Sequence, residues 1–181
     1  MRSRSRIVAA TQEQIAEAGF DSVSIAGVAQ RAGVSRQTVY SIFGCREDLV
    51  SEAVADLTIT ILGDLRDHLS AATTLSEYVV ELIVASRTLT RSNPVVSRVF
   101  GSTLSNPLFD DGMWHRAREV TRTLMAPAAS LAPSVDSTDE IAEMALHLGL
   151  AVVVFDSDKS DEELREFLTR WLEPAIETLT Q

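Results

Sequence analysis

Apolar residues recur every three to four positions along almost the whole chain. This spacing is the period of an amphipathic helix, and no segment shows the strict alternation of a half-buried strand. We therefore predict an all-α fold of about nine helices. The predicted bounds are about 5–18, 24–32, 36–43, 45–68, 74–91, 94–104, a seventh helix that carries Trp114 to Leu124, 137–155 and 160–179.

Several of these helices begin with a serine or threonine followed three residues later by glutamate. In this capping box, each side chain binds the other residue's backbone N–H. The boxes are Thr74–Glu77, Ser137–Glu140 and Ser160–Glu163. Pro174 lies inside the last predicted helix, where we expect a kink because proline cannot donate a helical hydrogen bond.

The composition is that of a globular protein with a sizeable core, since 45% of its 181 residues are hydrophobic. No apolar run reaches the ~18 residues needed to span a bilayer. The basic start, Met1 to Arg6, is not followed by the apolar core of a signal peptide, so we expect a cytoplasmic protein with no membrane association. The single cysteine, Cys45, excludes an internal disulfide and a cysteine-based zinc site.

The charge is unevenly distributed along the chain. Residues 1–44 contain five arginines and three acidic residues, a net charge of +2, so the rest carries −12 of the total of −10. Such asymmetry favours a small nucleic-acid-binding unit on an acidic body.

Residues Ser24 to Phe43 meet the requirements of a DNA-binding helix-turn-helix. This motif needs two short helices joined by a tight turn that often contains glycine, here Gly33. The second helix must present polar side chains to base edges and keep an apolar back. Val34, Val39 and Phe43 supply that back. The exposed side would carry Arg36, Gln37, Thr38, Tyr40 and Ser41.

The segment Ala29-Gln-Arg-Ala-Gly-Val-Ser-Arg-Gln-Thr-Val-Tyr-Ser-Ile-Phe43, followed by Gly44-Cys-Arg-Glu-Asp-Leu49, resembles the signature of the tetracycline-repressor (TetR) family. Together with the upstream Ala9-Ala10 and Ala18-Gly19-Phe20, the resemblance covers about residues 4–50. It implies a three-helix DNA-binding domain, 1–46, and a helical ligand-binding and dimerisation domain, 47–181.

The resemblance also implies roles for single residues. The residues expected to face bases or nearby sugar-phosphate are Arg36, Gln37, Thr38 and Ser41. Tyr40 and Ser24 would bind backbone phosphate. Arg46 would also bind phosphate; it replaces the lysine usual at the start of helix four, which keeps the charge but changes its geometry. Arg2, Arg4 and Arg6 would form either a DNA-contacting arm or a frayed, solvated terminus.

The last two helices are candidates for a homodimer interface, because a helix that is apolar all round is buried on all sides. In the family they pair with their copies as a four-helix bundle. The predicted interface residues are Ala145, Gly149, Val152, Leu164, Phe167, Leu168, Trp171 and Leu172. The alternative is a single monomeric core.

The resemblance implies that the middle helices enclose a pocket for a small organic ligand. Large apolar walls with a few polar groups suit such a ligand. The candidate lining residues are Tyr78, Leu82, Phe100, Leu104, Trp114, Arg118, Met125, Met144 and His147. Each of them could instead be an ordinary core residue.

No enzyme signature, metal site or cofactor motif is found in the sequence. The chain is therefore interpreted as a dimeric repressor that binds a palindromic operator in double-stranded DNA and is released by a small organic effector. Two alternatives remain. One is a family member that binds DNA without a small ligand, as an architectural or partner-responsive protein. The other is a ligand-binding or scaffold protein whose DNA-binding unit is vestigial.

Overall fold

The described part of the chain folds into the helices that the apolar pattern predicts. The computed structural model describes residues 2–101, 112–131, 135–155 and 158–179, and for residues 99–101, 113 and 135–137 it describes the backbone alone. Within these ranges the chain has nine α-helices and no strand, which confirms the predicted all-α class. The helices are α1 (Arg2–Ala18), α2 (Ile25–Ala32), α3 (Arg36–Phe43), α4 (Arg46–Leu69), α5 (Leu75–Ser92), α6 (Pro94–Gly101), α7 (Met113–Met125), α8 (Val135–Phe155) and α9 (Asp161–Leu179). Short 3-10 turns follow α1 and α7, at Phe20–Ser22 and Ala126–Leu131.

The first helix is longer than the sequence predicts. It begins at Arg2 rather than near Ser5. An ion pair between Arg4 and Glu52 of α4 ties down the additional turn. Residues 2–5 are thus helical, and a DNA contact by Arg2, Arg4 and Arg6 stays a prediction. At the other end of the chain, α9 continues through Pro174.

Two of the predicted capping boxes can be compared in detail. At α9 the box is reciprocal, because Ser160 N–H donates to Glu163 Oε2 over 2.8 Å and Glu163 N–H donates to Ser160 Oγ over 3.2 Å. At α5 it is shifted by one residue. Thr74 Oγ1 accepts from Glu77 N–H, but the Glu77 carboxylate accepts from the N–H of Thr73. The predicted third box, Ser137–Glu140, includes a side chain outside those described, and α8 begins two residues before it.

The buried side chains form two separate clusters. The first lies among α1, α2 and α3 and includes Leu49 of α4 and Val95 of α6. The second centres on α5, which packs against α8 and α9. The two clusters meet within α4, where Leu57 packs against the first and Ile61 against the second. The N-terminal core therefore extends beyond the predicted boundary after residue 46.

Helix α6 bridges the two clusters. Besides burying Val95 in the first cluster, it packs on α5 of the second. Arg98 donates to the carbonyls of Ala16 and Glu17 at the end of α1, over 3.3 and 3.1 Å. Cationic side chains are favourable at a helix C-terminus, where backbone carbonyls lack partners. The N-terminal unit is thus attached to the body by α6 as well as by α4.

The longest apolar run of the sequence, Leu148–Phe155, forms the end of α8. Its length is far below a bilayer span. Among the residues that the structure describes, no helix combines the length and the apolar composition that crossing a membrane requires.

Gly63, in the interior of α4, is a position where a substitution should stabilise the protein. It is exposed in the helix interior, and a Cβ placed there would meet no atom within 4 Å. Interior glycine costs a helix ~1 kcal/mol relative to alanine. We expect Gly63→Ala to raise the thermal midpoint by ~2–4 °C, as followed by circular dichroism.

The matched control for this variant is Gly33→Ala. Gly33 has φ +65°, a left-handed conformation that strains any residue with a Cβ. We expect this variant to be less stable than the wild type. A lower midpoint for Gly63→Ala would contradict the open position of Gly63.

Candidate nucleic-acid interface

The first three helices place a tight turn between α2 and α3. Gly33 takes the left-handed conformation there, and its N–H donates to the Gln30 carbonyl over 3.2 Å. Val34 N–H donates to the Ala29 carbonyl over 2.9 Å, which closes the turn. This is the helix-turn-helix geometry predicted from the sequence.

Helix α3 has one buried and one exposed side. Val39 and Phe43 lie in the N-terminal core. On the other side, Tyr40 is 53% exposed. Of the predicted base-facing residues, Thr38 is half-buried and three are exposed: Arg36, Gln37 and Ser41. The candidate DNA contacts of α3 thus lie outside the core that buries Val39 and Phe43.

The first turn of α3 is fixed by a cap that the sequence analysis did not single out. Ser35 Oγ accepts from the Thr38 backbone N–H over 3.0 Å and shares a second hydrogen bond with the Thr38 hydroxyl over 2.8 Å. Serine before a helix start is a typical N-cap. This cap holds Thr38 in a defined orientation at the N-terminal end of the candidate recognition helix.

Ser24 caps α2 by accepting from Gly27 N–H over 3.1 Å. Its own backbone N–H donates to Gln14 Oε1 over 3.2 Å. The Gln14 amide lies so close that a Cβ at position 27 would be 2.4 Å from Gln14 Nε2. Gln14 was not a candidate in the sequence analysis, because its partner is ten residues away and no local pattern signals the contact.

Arg46 points toward the protein rather than outward. Its Nε donates to the Val23 carbonyl over 2.7 Å, and Nη2 donates to the Phe20 carbonyl over 2.5 Å. The remaining nitrogen, Nη1, lies 3.4 Å from Glu47 Oε1. The side chain predicted to bind phosphate is therefore engaged with the connection between α1 and α2.

Two other arginines of the N-terminal unit are engaged in ion pairs. The Arg4 guanidinium, besides pairing with Glu52, lies over the Phe43 ring at 5.2 Å from its centroid. Arg31 donates to Glu17 over 2.7 and 2.8 Å, which lowers the pKa of that carboxyl below its usual value. Because carboxylates offset the charges of Arg4 and Arg31, the N-terminal unit carries less unpaired positive charge than the number of its arginines suggests.

The predicted ligand-pocket residues divide between two places. The first group lies in the core of the body, where Tyr78, Leu82 and Met125 are buried and Met144 packs against them. Tyr78 donates to the Leu124 carbonyl over 2.6 Å, and its burial raises the pKa of the phenol.

The second group lies between α7 and α8. Trp114 and His147 meet edge to face, with ring centroids 4.8 Å apart. Arg118 pairs with Glu143 over 2.9 Å, and His147 Nδ1 donates to the Glu143 carbonyl over 2.7 Å. A cavity of about 190 Å³ here is lined by Arg118, Thr121, Arg122, Asp139, Glu140, Ala142, Glu143 and Leu146. Two further candidates, the Phe100 side chain and Leu104, lie outside the described residues.

The predicted dimer residues fall into two sets. Half of them are buried within the protomer itself, because α8 and α9 turn these side chains toward α5: Ala145, Leu164, Leu168 and Leu172. Gly149 and Val152 are half-buried, whereas Phe167 and Trp171 are 47% and 65% exposed. Phe155, at the end of α8, is 82% exposed and was not among the candidates.

Among the described side chains, no group of three or more histidine, cysteine, aspartate or glutamate residues is arranged to hold a metal ion. The sequence contains a single cysteine, Cys45, which lies at the start of α4 and accepts a weak hydrogen bond from Asp48 N–H over 3.4 Å.

The N-terminal helices are similar to those of a known protein family. Residues 7–53 match the family described as bacterial regulatory proteins, tetR family. No curated protein sequence matches the chain with significance.

Solved structures resemble the chain over its whole length. A putative transcriptional regulator, SCO7518 from Streptomyces coelicolor A3(2), has a TM-score of 0.71 at 23% identity, covering 100% of this chain and 99% of that one. The TetR family repressor AlkX from Dietzia sp. strain DQ12-45-1b has a TM-score of 0.63 at 20% identity, with 98% and 97% covered. A putative transcriptional regulator from Saccharomonospora viridis, in complex with choline, has a TM-score of 0.61 at 20% identity, with 94% and 95% covered. The predicted resemblance is thus confirmed: residues 7–53 match the tetR family of bacterial regulatory proteins, and the whole chain shares its fold with solved structures that include a TetR-family repressor.

Proposed function

We propose that the protein is a transcriptional repressor that binds operator DNA as a homodimer and releases it when a small organic ligand binds the body. The observation that carries the DNA-binding part is the exposed polar side of α3. It lies opposite Val39 and Phe43, in the helix that follows the Gly33 turn. An exposed tyrosine beside arginine, glutamine and threonine contributes little to packing, whereas these side chains suit a DNA groove.

The chemistry of α3 supports a division of roles. Arginine pairs with guanine and glutamine with adenine through two hydrogen bonds each, and a threonine methyl can contact thymine. Arg36, Gln37 and Thr38 lie in the first turn of α3, the end that a recognition helix inserts toward bases. The Tyr40 hydroxyl and the capped start of α2 at Ser24 would bind phosphate, since helix N-termini favour anions.

The first test of this proposal is DNA binding by two α3 variants across a salt titration. On genomic DNA fragments, we expect the logarithm of affinity to fall with the logarithm of salt concentration, with a slope of ~0.9 per phosphate contact. Arg36→Ala should weaken binding to the preferred sequence ~5- to 150-fold, through ~1–3 kcal/mol of lost base contacts. Tyr40→Phe should weaken it ~5-fold, because it removes one hydrogen bond of ~1 kcal/mol.

The matched control for these variants is Arg31→Gln. It also removes one positive charge from the N-terminal unit, but its guanidinium is paired with Glu17 on α1. We expect a change of less than twofold. If Arg36→Ala and Tyr40→Phe bind like the wild type, α3 is not the recognition helix.

Dimerisation is supported by the exposed apolar side chains of the last two helices. Phe167 and Trp171 lie one turn apart on α9, and Phe155 ends α8. All three are exposed large aromatic side chains, and a group of such side chains at one end of the chain suits an interaction site. A dimer would also supply the second recognition helix that a palindromic operator requires.

Ligand release is supported by the way the two cores are connected. We propose that the domain boundary lies within α4, between Leu57 and Ile61, so that a displacement of the body core would move the N-terminal unit. Coupling of ~1–3 kcal/mol would change operator affinity ~5- to 150-fold. The similar protein from Saccharomonospora viridis holds choline, which supports a small organic effector here.

A further inference from the structure

The connection between α1 and α2 is held by a residue from a third helix. After the 3-10 turn Phe20–Ser22, the chain passes through Val23 to the cap residue Ser24. Arg46 of α4 donates from Nε to the Val23 carbonyl and from Nη2 to the Phe20 carbonyl. The guanidinium fork thus binds the carbonyls at both ends of this turn.

The peptide group that joins Val23 to Ser24 is bound on both edges. Its carbonyl oxygen accepts from Arg46 Nε over 2.7 Å, and its N–H donates to Gln14 Oε1 over 3.2 Å. These two bonds set the rotation of the peptide plane from which α2 starts. The Ser24 hydroxyl, which accepts from Gly27 N–H, takes its position from that plane.

We infer that Arg46 is a positioning residue for DNA binding: it orients the phosphate-facing start of α2 instead of binding phosphate itself. This inference rests on the proposed function. The guanidinium has one Nε proton, which is committed to Val23, and the side chain is only 34% exposed. Nη1 faces Glu47, so part of the positive charge is offset within the protein.

This role requires arginine and not merely a positive charge. Two donors in a rigid plane bind two carbonyls at once, which a lysine ammonium at the end of a flexible chain does not reproduce. If residue 46 bound phosphate directly, lysine could replace arginine, because lysine binds phosphate well as a point charge. Arg46→Lys therefore separates the two roles, with Arg46→Ala as the variant that removes both.

The test measures DNA affinity and its salt dependence for the full-length protein and three variants. A positioning role predicts that Arg46→Lys and Arg46→Ala both weaken binding ~10-fold and leave the salt slope unchanged, because the contact at the start of α2 is uncharged and no contact between a cationic side chain and a phosphate is lost. Gln14→Ala should do the same, since it removes the other anchor of the peptide without changing the charge. The inference is overturned if Arg46→Lys binds like the wild type while Arg46→Ala lowers the slope by ~0.9, the value of one phosphate contact.

A second measurement on the free protein separates this inference from the proposed function. Local opening of the turn exposes the Ser24 N–H, so Arg46→Lys should speed its hydrogen exchange ~10-fold. Glu52→Gln, which breaks the ion pair between Arg4 and another residue of α4, should leave the exchange rate of the Ser24 N–H unchanged. Unchanged exchange in Arg46→Lys would overturn the positioning role even if the protein binds DNA. A wild type that shows no salt-dependent DNA binding would refute the proposed function instead.

Discussion

Trp171→Glu is expected to leave the protein monomeric, with a mass of 19.7 kDa. Trp171 of α9 is 65% exposed, whereas the nearby Leu168 and Leu172 are buried. In a symmetric dimer each substitution counts twice. Losing two buried aromatic side chains, at ~2 kcal/mol each, would weaken dimerisation ~1,000-fold, and two carboxylates in an apolar interface would weaken it further.

Sedimentation equilibrium of the wild type and the variant measures this change. Glu166→Gln is the matched control, because Glu166 is exposed on the same helix but outside the apolar side chains. It should sediment like the wild type. If the Trp171→Glu variant remains dimeric, the dimer interface must lie on another surface.

The same variant should change DNA binding in a characteristic way. A monomer presents one copy of α3 and so makes about half the phosphate contacts of a dimer. The slope of log affinity against log salt should therefore fall to about half of the wild-type value. Arg36→Ala, by contrast, should reduce sequence preference in a protein that stays dimeric. The two variants thus test the interface and the recognition helix separately.

The N-terminal unit was largely predictable because its signals are local. A cap at Ser24, a turn at Gly33 and an apolar back at Val39 and Phe43 all lie within twenty residues. Each signal restricts the backbone directly, through a hydrogen bond, a left-handed conformation or a buried side chain. The polar side of α3 follows from these restrictions, since the opposite side must face the core.

The contacts that the sequence did not reveal join residues far apart in the chain. Arg46 binds Val23, and Val95 of α6 enters the N-terminal core. An arginine or valine carries no local signal of its partner. The sequence shows the apolar stripe of α9. The stripe alone does not indicate whether it packs against α5 of the same protomer or against a second copy. Burial of Leu164 and Leu168 against the protomer's own core resolves that ambiguity for those positions.

Asp161→Asn is expected to cause the largest loss of stability among single polar substitutions in the body. Asp161 begins α9 and accepts hydrogen bonds from Arg87 and from the Thr88 hydroxyl of α5. Arg87, only 1% exposed, also donates to the Lys159 carbonyl over 3.0 Å. Removing the carboxylate takes a charged partner away from a buried cation, and breaking one side of a fully buried pair costs ~3–5 kcal/mol.

The cost here should be lower, because Asp161 is 40% exposed and water can replace part of the lost interaction. We expect the free energy of unfolding to fall by ~2–3 kcal/mol, as measured by urea denaturation at pH 7. Glu162→Gln is the matched control, since its exposed carboxylate pairs with Arg165 at the surface and should contribute less than ~1 kcal/mol. Equal losses for both variants would contradict a special role for the buried cation.

The pH dependence of stability gives this prediction a definite sign. The hydrogen bond from Arg87, supported by that from Thr88, lowers the pKa of Asp161 in the folded protein. In the unfolded chain the carboxyl titrates near the usual value of ~3.9, so the unfolded state binds the proton first as the pH falls. The stabilisation is therefore fully present above that pH and is lost below it. The difference between the wild type and Asp161→Asn should shrink as the pH falls below ~4.

A double substitution distinguishes the loss of a charge pair from a mere loss of packing. In Arg87→Met/Asp161→Asn the buried cation is replaced by an apolar side chain of comparable length, so both members of the pair are removed together. Replacing both members of a buried pair is often nearly neutral, whereas removing one is costly. The double variant should therefore be more stable than Asp161→Asn alone. If it is less stable, Arg87 stabilises the start of α9 through its carbonyl and packing contacts, and the charge pair itself contributes little.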